Sequence, residues 1–558
     1  MAKVLYHGKK NRIPSEKNDA DAYFPEFFNL LGITAEKFVF GKNLPEDGVL
    51  FLGEGDYSEE TDVLSSFVGA GGTLVGIGTL GTETLSGIRP VGRIRADSEY
   101  SLNGHFLASD EIYLSGGMNA YPLPILGDIR NCAADGEGTV VRGILKEQGT
   151  PVFFERKYGK GRVFTFTFSL LKTLWYKGQG RPVPEDIDGD GYMRSGDSII
   201  PDPSDDYLVP TSDLYLHLIE NIVWSAGEQP LIHQIPPTDG RVNDYAIHFA
   251  GDEDWCGEEL FTANRDMRER GVVYHAHFQP VEGRRFTLDK ERFSALKKEG
   301  FEPSLHFDFV TNGAFRYGKE DLEKQLSLYR ETFGETPSVA NTHWTIYNGF
   351  GETGRWYEEL GMKGVIRQIG IRTDLFDINA MNLYGYAFGT TYPTRILDDA
   401  EHGNRTYGVA ELKIVFYEPR LRNEEDRARI AREAETAARF ALIDNIFIHP
   451  TYFVNDRQAV LSAVDEILRL AGEKDVAYLS TDGVAEWWAA RARSSVSGLG
   501  GGKYVVEAAA PLTLKFSEKV SVLAFGRKTE TMEKTIAGRR VYLAALPAGS
   551  YEISVLKD

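Results

Sequence analysis

Short apolar runs alternate with stretches of helical periodicity along the first 228 residues. Val49-Leu-Phe-Leu52 and Leu74-Val-Gly-Ile77 predict strands and Glu59 to Gly69 predicts a helix between them, the rhythm of a doubly wound sheet. Lys157 to Phe168 adds a glycine turn and a strongly β-prone run. Pro230, Pro236, Pro237 and Gly240 then mark a linker. Beyond it the alternation is strict: strands at Tyr245 to Ala250, Val272 to His277, Ser304 to Phe309 and Val339 to Trp344 are separated by helices at Glu258 to Arg270, Lys290 to Glu299 and Lys319 to Phe333. A second block repeats it with strand Leu412 to Tyr417, helix Glu424 to Leu442, strand Asn445 to His449, helix Arg457 to Leu470 and strand Val476 to Ser480. Strand-helix repetition of this kind predicts a parallel barrel with its functional groups at the C-terminal ends of the strands. Gly498-Leu-Gly-Gly-Gly502 predicts a second, glycine linker, and alternating segments beyond it such as Val520 to Phe525 and Arg540 to Ala544 predict a small all-β module. The expected division is an α/β domain over 1–228, a linker over 229–243, a barrel over 244–495 and the β-module over 503–558.

Polar residues collect where those strands end. Tyr245-Ala-Ile-His-Phe-Ala-Gly-Asp-Glu-Asp-Trp255 runs from an apolar strand into three acids, and period-two alternation projects Asp252 and Asp254 together while Glu253 points away. Two like charges at a strand end require a cation, a shared proton or water. His306 and Asp308 share one face of their strand, Asn341 and His343 share a face of the next, and His449 ends a later one. Carboxylates and imidazoles converging from several strands form a donor set for zinc or another divalent metal. His275 and His277 alternate on one face of their strand and make a second metal candidate. Within the first segment, Asp186, Asp188, Asp190, Tyr192 and Asp197 fall at positions one, three, five, seven and twelve of a loop with glycine at six, the spacing of a calcium-wrapping loop, here without the flanking helices of an EF-hand.

Charge and composition narrow the partners. A net charge of -20, from 82 acids against 62 bases, argues against nucleic acid or an anionic membrane surface. Cys132 and Cys256 cannot make a disulfide framework, and no apolar run reaches the length of a membrane span. Cytoplasmic location is the default expectation, with secretion the alternative if an export signal has been removed; the oligomeric state is open.

Two family resemblances follow from these residues. Tyr158-Gly-Lys-Gly-Arg-Val-Phe164, closing a strand-helix alternation, resembles class I glutamine-amidotransferase-like domains. Active members carry a cysteine at a strand-to-helix turn where this chain reads Gly76-Ile-Gly-Thr79, so the resemblance implies an inactive, structural version. From about Asp244 to Trp488 the chain resembles the polysaccharide deacetylases, the NodB-like carbohydrate esterases, through the Phe249 to Trp255 segment, Leu305-His306, Asn445-Ile-Phe-Ile-His-Pro-Thr-Tyr452, and Val476 to Asp482 with Trp487. That resemblance implies a distorted barrel of seven strands and metal-assisted deacetylation of a carbohydrate. It assigns Asp252 as base, Asp254 and His306 as metal ligands and His449 as acid; His343, where the chain departs from the family, is either the substitute third ligand or a substrate contact. Val310 stands where the family has its second metal histidine, and Asn341-Thr-His-Trp344 replaces its arginine-and-proline motif. Trp255, Asp308, Asn341, Trp344 and Tyr452 are the expected substrate contacts. A glycan-cleaving enzyme using Asp252 and Asp254 without a metal, and an inactive carbohydrate-binding scaffold, are the alternatives.

Overall fold

The computed structural model describes residues 3–9, 17–109, 118–203, 207–254, 256–281, 285–311, 313, 315–371 and 381–557, which form a mixed α/β protein. Trp255 lies outside the described residues. In the first segment Glu36–Lys37, Val4–His7, Val49–Leu52, Thr73–Ile77 and Gly161–Phe166 pair in parallel. Thr150–Tyr158, Thr139–Leu145, Leu102–Ala108 and Leu123–Leu126 extend the same sheet in antiparallel fashion. The doubly wound expectation therefore describes only part of this sheet. A two-residue turn with Gly159 at φ +58° returns the chain directly at Tyr158, and so short a connection can join only antiparallel neighbours.

The central sheet is parallel across Ile443–Phe447, Tyr245–Asp252, Tyr274–Phe278, Glu302–Phe307, Val339–Thr342, Gly364–Ile369 and Thr406–Ile414. Immediately after Ile414 the chain continues as Phe416–Tyr417, which pairs with Ile443–Phe447 at the opposite edge. A single run of chain thus engages both edges, and the strands' C-terminal ends face one space. All eight residues of Tyr245–Asp252 are buried, as expected of a strand flanked on both sides and covered by helices. The helix Glu424–Phe440 starts where the Asn423 side chain accepts from the Asp426 N–H at 2.9 Å, carries Glu424, Glu425 and Asp426 in its first turn, and buries Ile430, Ala437 and Phe440.

Two expected spacers are structured. Leu231–Ile232, inside the supposed linker, pairs with Leu512–Phe516 of the C-terminal module. The glycine run belongs to a hairpin, Ser495–Gly500 paired with Lys503–Ala508, with Gly500, Gly501 and Gly502 at positive φ. Glycine there supplies left-handed turn geometry and not a flexible tether. The N-terminal segment also packs directly on the central sheet's loops: Val183 and Gly349 exchange backbone hydrogen bonds of 3.0 and 2.9 Å, and the Gln368 side chain donates to the Gln179 carbonyl at 2.8 Å.

Candidate functional site

Gly251 sets the local geometry at the end of the first central strand. A Cβ there would lie 2.0 Å from the Ile448 carbonyl oxygen and 2.1 Å from the Tyr274 hydroxyl, so only glycine lets these strands approach. Beyond it Asp252 and Asp254 turn into the same space, while Glu253 is buried elsewhere, accepting from Thr287 at 2.6 Å and from the Gly257 N–H at 3.1 Å. Asp254 has φ +41°, Trp344 +56°, Thr345 +50° and Glu418 +51°. Left-handed non-glycine residues cost free energy, and their gathering around one cavity sets this apart from an ordinary solvated turn.

His306 Nε2 stands 3.4 Å from Asp252 Oδ2 and 3.5 Å from Asp254 Oδ1, and His343 Nε2 is 4.0 Å from the same Asp254 oxygen. Neither His306 Nε2 nor Asp254 Oδ1 has a hydrogen-bond partner among the described residues, although both atoms are buried. A tetrahedral ion with bonds of about 2.1 Å spaces its ligand atoms about 3.4 Å apart. The Asp254, His306 and His343 donors fit such an ion, one oxygen and two nitrogens with a side left open. His343 Nδ1 lies 3.1 Å from Asp308 Oδ1 and 2.8 Å from the Gln279 amide nitrogen; the tautomer that presents the Nε2 lone pair to the site is the one in which Nδ1–H donates to the carboxylate.

Asp252 is held from two other sides. His277 Nδ1 is 3.0 Å from Oδ1, and the Asn341 amide donates to both oxygens at 3.0 and 3.1 Å. Burial alone would raise the Asp252 carboxyl, but His306, His277 and His449 outweigh it and hold it below its ordinary value. Asp254 is likewise lowered, with His306 and His449 overcoming burial. Burial pushes the His277 imidazole down to about 4 against the pull of Asp252, so it is neutral and donates from Nδ1. On the far side, His449 Nε2 is 3.4 Å from Asp254 Oδ2, and its Nδ1 is 2.5 Å from Glu418 Oε1. Burial would lower the His449 pKa, but Glu418 and then Asp254 and Asp252 push it up to about 9. The Arg420 guanidinium donates to the other Glu418 oxygen at 3.0 Å.

These groups open on a cavity of about 320 Å³ whose lining includes Asp252, Asp254, His343, Trp344, His449 and Tyr452. The structure reassigns several expected residues. Asp308 and Asn341 do not reach substrate space: they are 2% and 1% exposed, and they orient His343 and Asp252. The His275 and His277 rings stay together, with centroids 4.6 Å apart, while His275 Nδ1 faces Glu302 Oε2 at 3.2 Å and His277 Nδ1 faces Asp252. In the calcium-type loop Asp186, Asp188 and Asp197 bring oxygens within 4.8 Å of one another, but Asp190 is drawn to Arg194, and the Tyr192 ring packs 5.1 Å from Trp344. Glu418 went unrecognised in the sequence, although a carboxylate between Phe416-Tyr417 and Pro419 marks the end of a strand.

No protein-family model matches the chain, and no curated protein matches it. Among solved structures, a candidate polysaccharide deacetylase from Mycobacterium smegmatis aligns over 46% of this chain and 94% of its own, at 11% identity and TM-score 0.31. A candidate polysaccharide deacetylase involved in O-antigen biosynthesis in Bordetella bronchiseptica aligns over 41% and 83%, at 12% identity and TM-score 0.24. The β-galactosidase from Bacillus circulans sp. alkalophilus aligns over 31% of this chain at 13% identity and TM-score 0.24, and the match spans 30% of that enzyme's length. No helix among the described residues is long and apolar enough to cross a membrane.

Proposed function

We propose that the chain is a metal-dependent hydrolase that removes acyl groups from a carbohydrate, a deacetylase-like reaction. The observation that carries this reading is the triangle of Asp254 Oδ1, His306 Nε2 and His343 Nε2, flanked on one side by Asp252, tethered by Asn341, and on the other by His449, held by Glu418. A divalent ion held there, zinc by the donor set, would supply Lewis-acid polarisation of the acyl carbonyl and of the attacking water. Asp252, oriented by Asn341 and His277, accepts the proton that the water loses. His449 donates from Nε2 to the departing alcohol or amine, with Glu418 stabilising its charged form. Trp344 and Tyr452 offer ring faces to a sugar.

The metal-free glycosidase reading requires one carboxyl of the pair to stay protonated. Asp252 and Asp254 are both held below the ordinary carboxylate range, which favours the hydrolase reading. Elemental analysis of the purified full-length protein, with acetate release from acetylated oligosaccharides, tests it. Near-stoichiometric zinc or a similar ion is expected, with turnover lost on chelation and restored by the metal. Cleavage of glycosidic bonds, or acetate release by metal-free protein, would replace this reading.

From the spacing of the 186–197 loop we further infer a structural calcium ion held by Asp186, Asp188 and Asp197. Calcium removal is expected to lower the melting temperature by several degrees, at about 4 °C or less per kcal/mol for a chain this long. Asp188→Ala should abolish that difference, and a melt that ignores the chelator excludes the ion.

A further inference from the structure

The cavity is built from two distant parts of the chain. Its floor is acid and imidazole, its walls include Ile369, Ile414, Tyr417 and Phe447, and one guanidinium, that of Arg194, reaches it from the N-terminal segment. Arg194 is the one permanent cation among the described lining residues. Its backbone bridges antiparallel to Ile346, the Met193 carbonyl accepts from the Tyr347 N–H at 3.1 Å, and Ser195 Oγ accepts from the Ile369 N–H at 3.0 Å. These contacts anchor the arginine beside the turn that carries His343 and Trp344.

The Arg194 side chain is 25% exposed and its guanidinium pairs with Asp190, itself 24% exposed, while lying 5.8 Å from the centre of the Tyr192 ring. The pair is only about a quarter exposed, so a ligand carboxylate would join Asp190 as a second partner of the guanidinium, which has five N–H donors to share. Asp252 and Asp254 repel an anion from the floor, where the proposed ion and the His449 imidazole are engaged with the acyl group and its leaving atom in the proposed reaction. A ligand carboxylate away from the reacting centre therefore meets its permanent cationic partner at the rim, in Arg194, whose planar fork matches carboxylate geometry.

We propose that Arg194 recognises a carboxylate on the substrate, so that the cavity selects acidic sugars of the uronic-acid class and the N-terminal segment contributes to specificity. This rests on the carbohydrate reading of the same site. The test compares equilibrium binding of a tri-uronide and its carboxyl-reduced neutral counterpart to the full-length protein, measured by calorimetry. The wild type should bind the uronide roughly tenfold more tightly, the scale of one charge-assisted contact. Arg194→Met should bring the ratio to within about twofold, and Arg194→Lys should give an intermediate ratio, because an ammonium keeps the charge but loses the fork. Melting curves of both variants verify that they fold. Equal wild-type binding of the two ligands, binding of neither, or a proportional loss for both in Arg194→Met overturns the inference; the last result would make Arg194 a clamp on the His343 turn. Acetate release from a neutral acetylated oligosaccharide reports separately on the proposed reaction. Release without charge preference defeats this inference alone, and charge preference without release defeats the reaction alone.

Discussion

His306→Ala is expected to yield protein that retains no transition metal and releases no acetate. Its Nε2 faces Asp252 Oδ2 and Asp254 Oδ1 at 3.4 and 3.5 Å, and the side chain is fully buried. Removing the imidazole takes away one of the three proposed ligands and leaves two carboxylates facing each other across the gap. Breaking a buried charge arrangement by deleting one partner costs about 3–5 kcal/mol, so a lower melting temperature should accompany the loss. Asp254→Asn separates the two effects, because it keeps the side-chain volume while withdrawing the charge that attracts the cation. This variant should melt close to wild type yet carry little metal and show no turnover. Elemental analysis, acetate release and thermal melts on the two variants check the expectation. A His306→Ala protein that keeps one equivalent of metal would remove the proposed centre.

The strand-helix rhythm made most of the central sheet legible because long amphipathic helices separate most of its strands; the expected strands omit Gly364–Ile369, which follows only the eight-residue helix Glu352–Glu359. The helix predicted over Lys319 to Phe333 is the one observed, and most others differ only at their ends. At the site, alternation accounts for Asp252 and His306, which lie within strands, whereas Asp254, His343 and His449 stand just beyond their strands' ends and reach the same space from turns. The same rule overreached at Asp308. The strand stops at Phe307, and Asp308 instead accepts from the backbone N–H groups of Val310 and Thr311 at 3.0 and 3.2 Å while holding His343. Asn341 does face the interior, but Asp252 occupies its amide before any substrate can. Arg194 was beyond reach because its place depends on pairing between Arg194 and Ile346, segments with no local relation in the chain. The glycines at 500–502 misled because composition does not separate a tether from a tight turn.

His449→Ala should retain the metal and slow turnover by roughly 10² to 10⁴, the usual worth of a positioned general acid. Its Nε2 approaches Asp254 Oδ2, whereas the His306 and His343 nitrogens approach Oδ1, so the triangle survives its loss. The sharper measurement is the pH profile of Glu418→Gln. In the proposed reaction protonated His449 is the active form, and activity is therefore expected to fall as pH rises through its pKa. In the wild type burial opposes protonation, but Glu418 dominates and pushes that pKa up to about 9, which places the descending limb on the alkaline side. Glutamine can still accept from Nδ1 but carries no charge, so the imidazole should lose its proton at lower pH and the limb should move toward neutrality. The defect should be small in acid, where the imidazole is protonated in both proteins, and should grow through the neutral and alkaline range. His449→Ala should show no such limb. A Glu418→Gln profile that coincides with wild type after scaling would mean that another group delivers the proton, and His449 would then be left with a role in binding the leaving group.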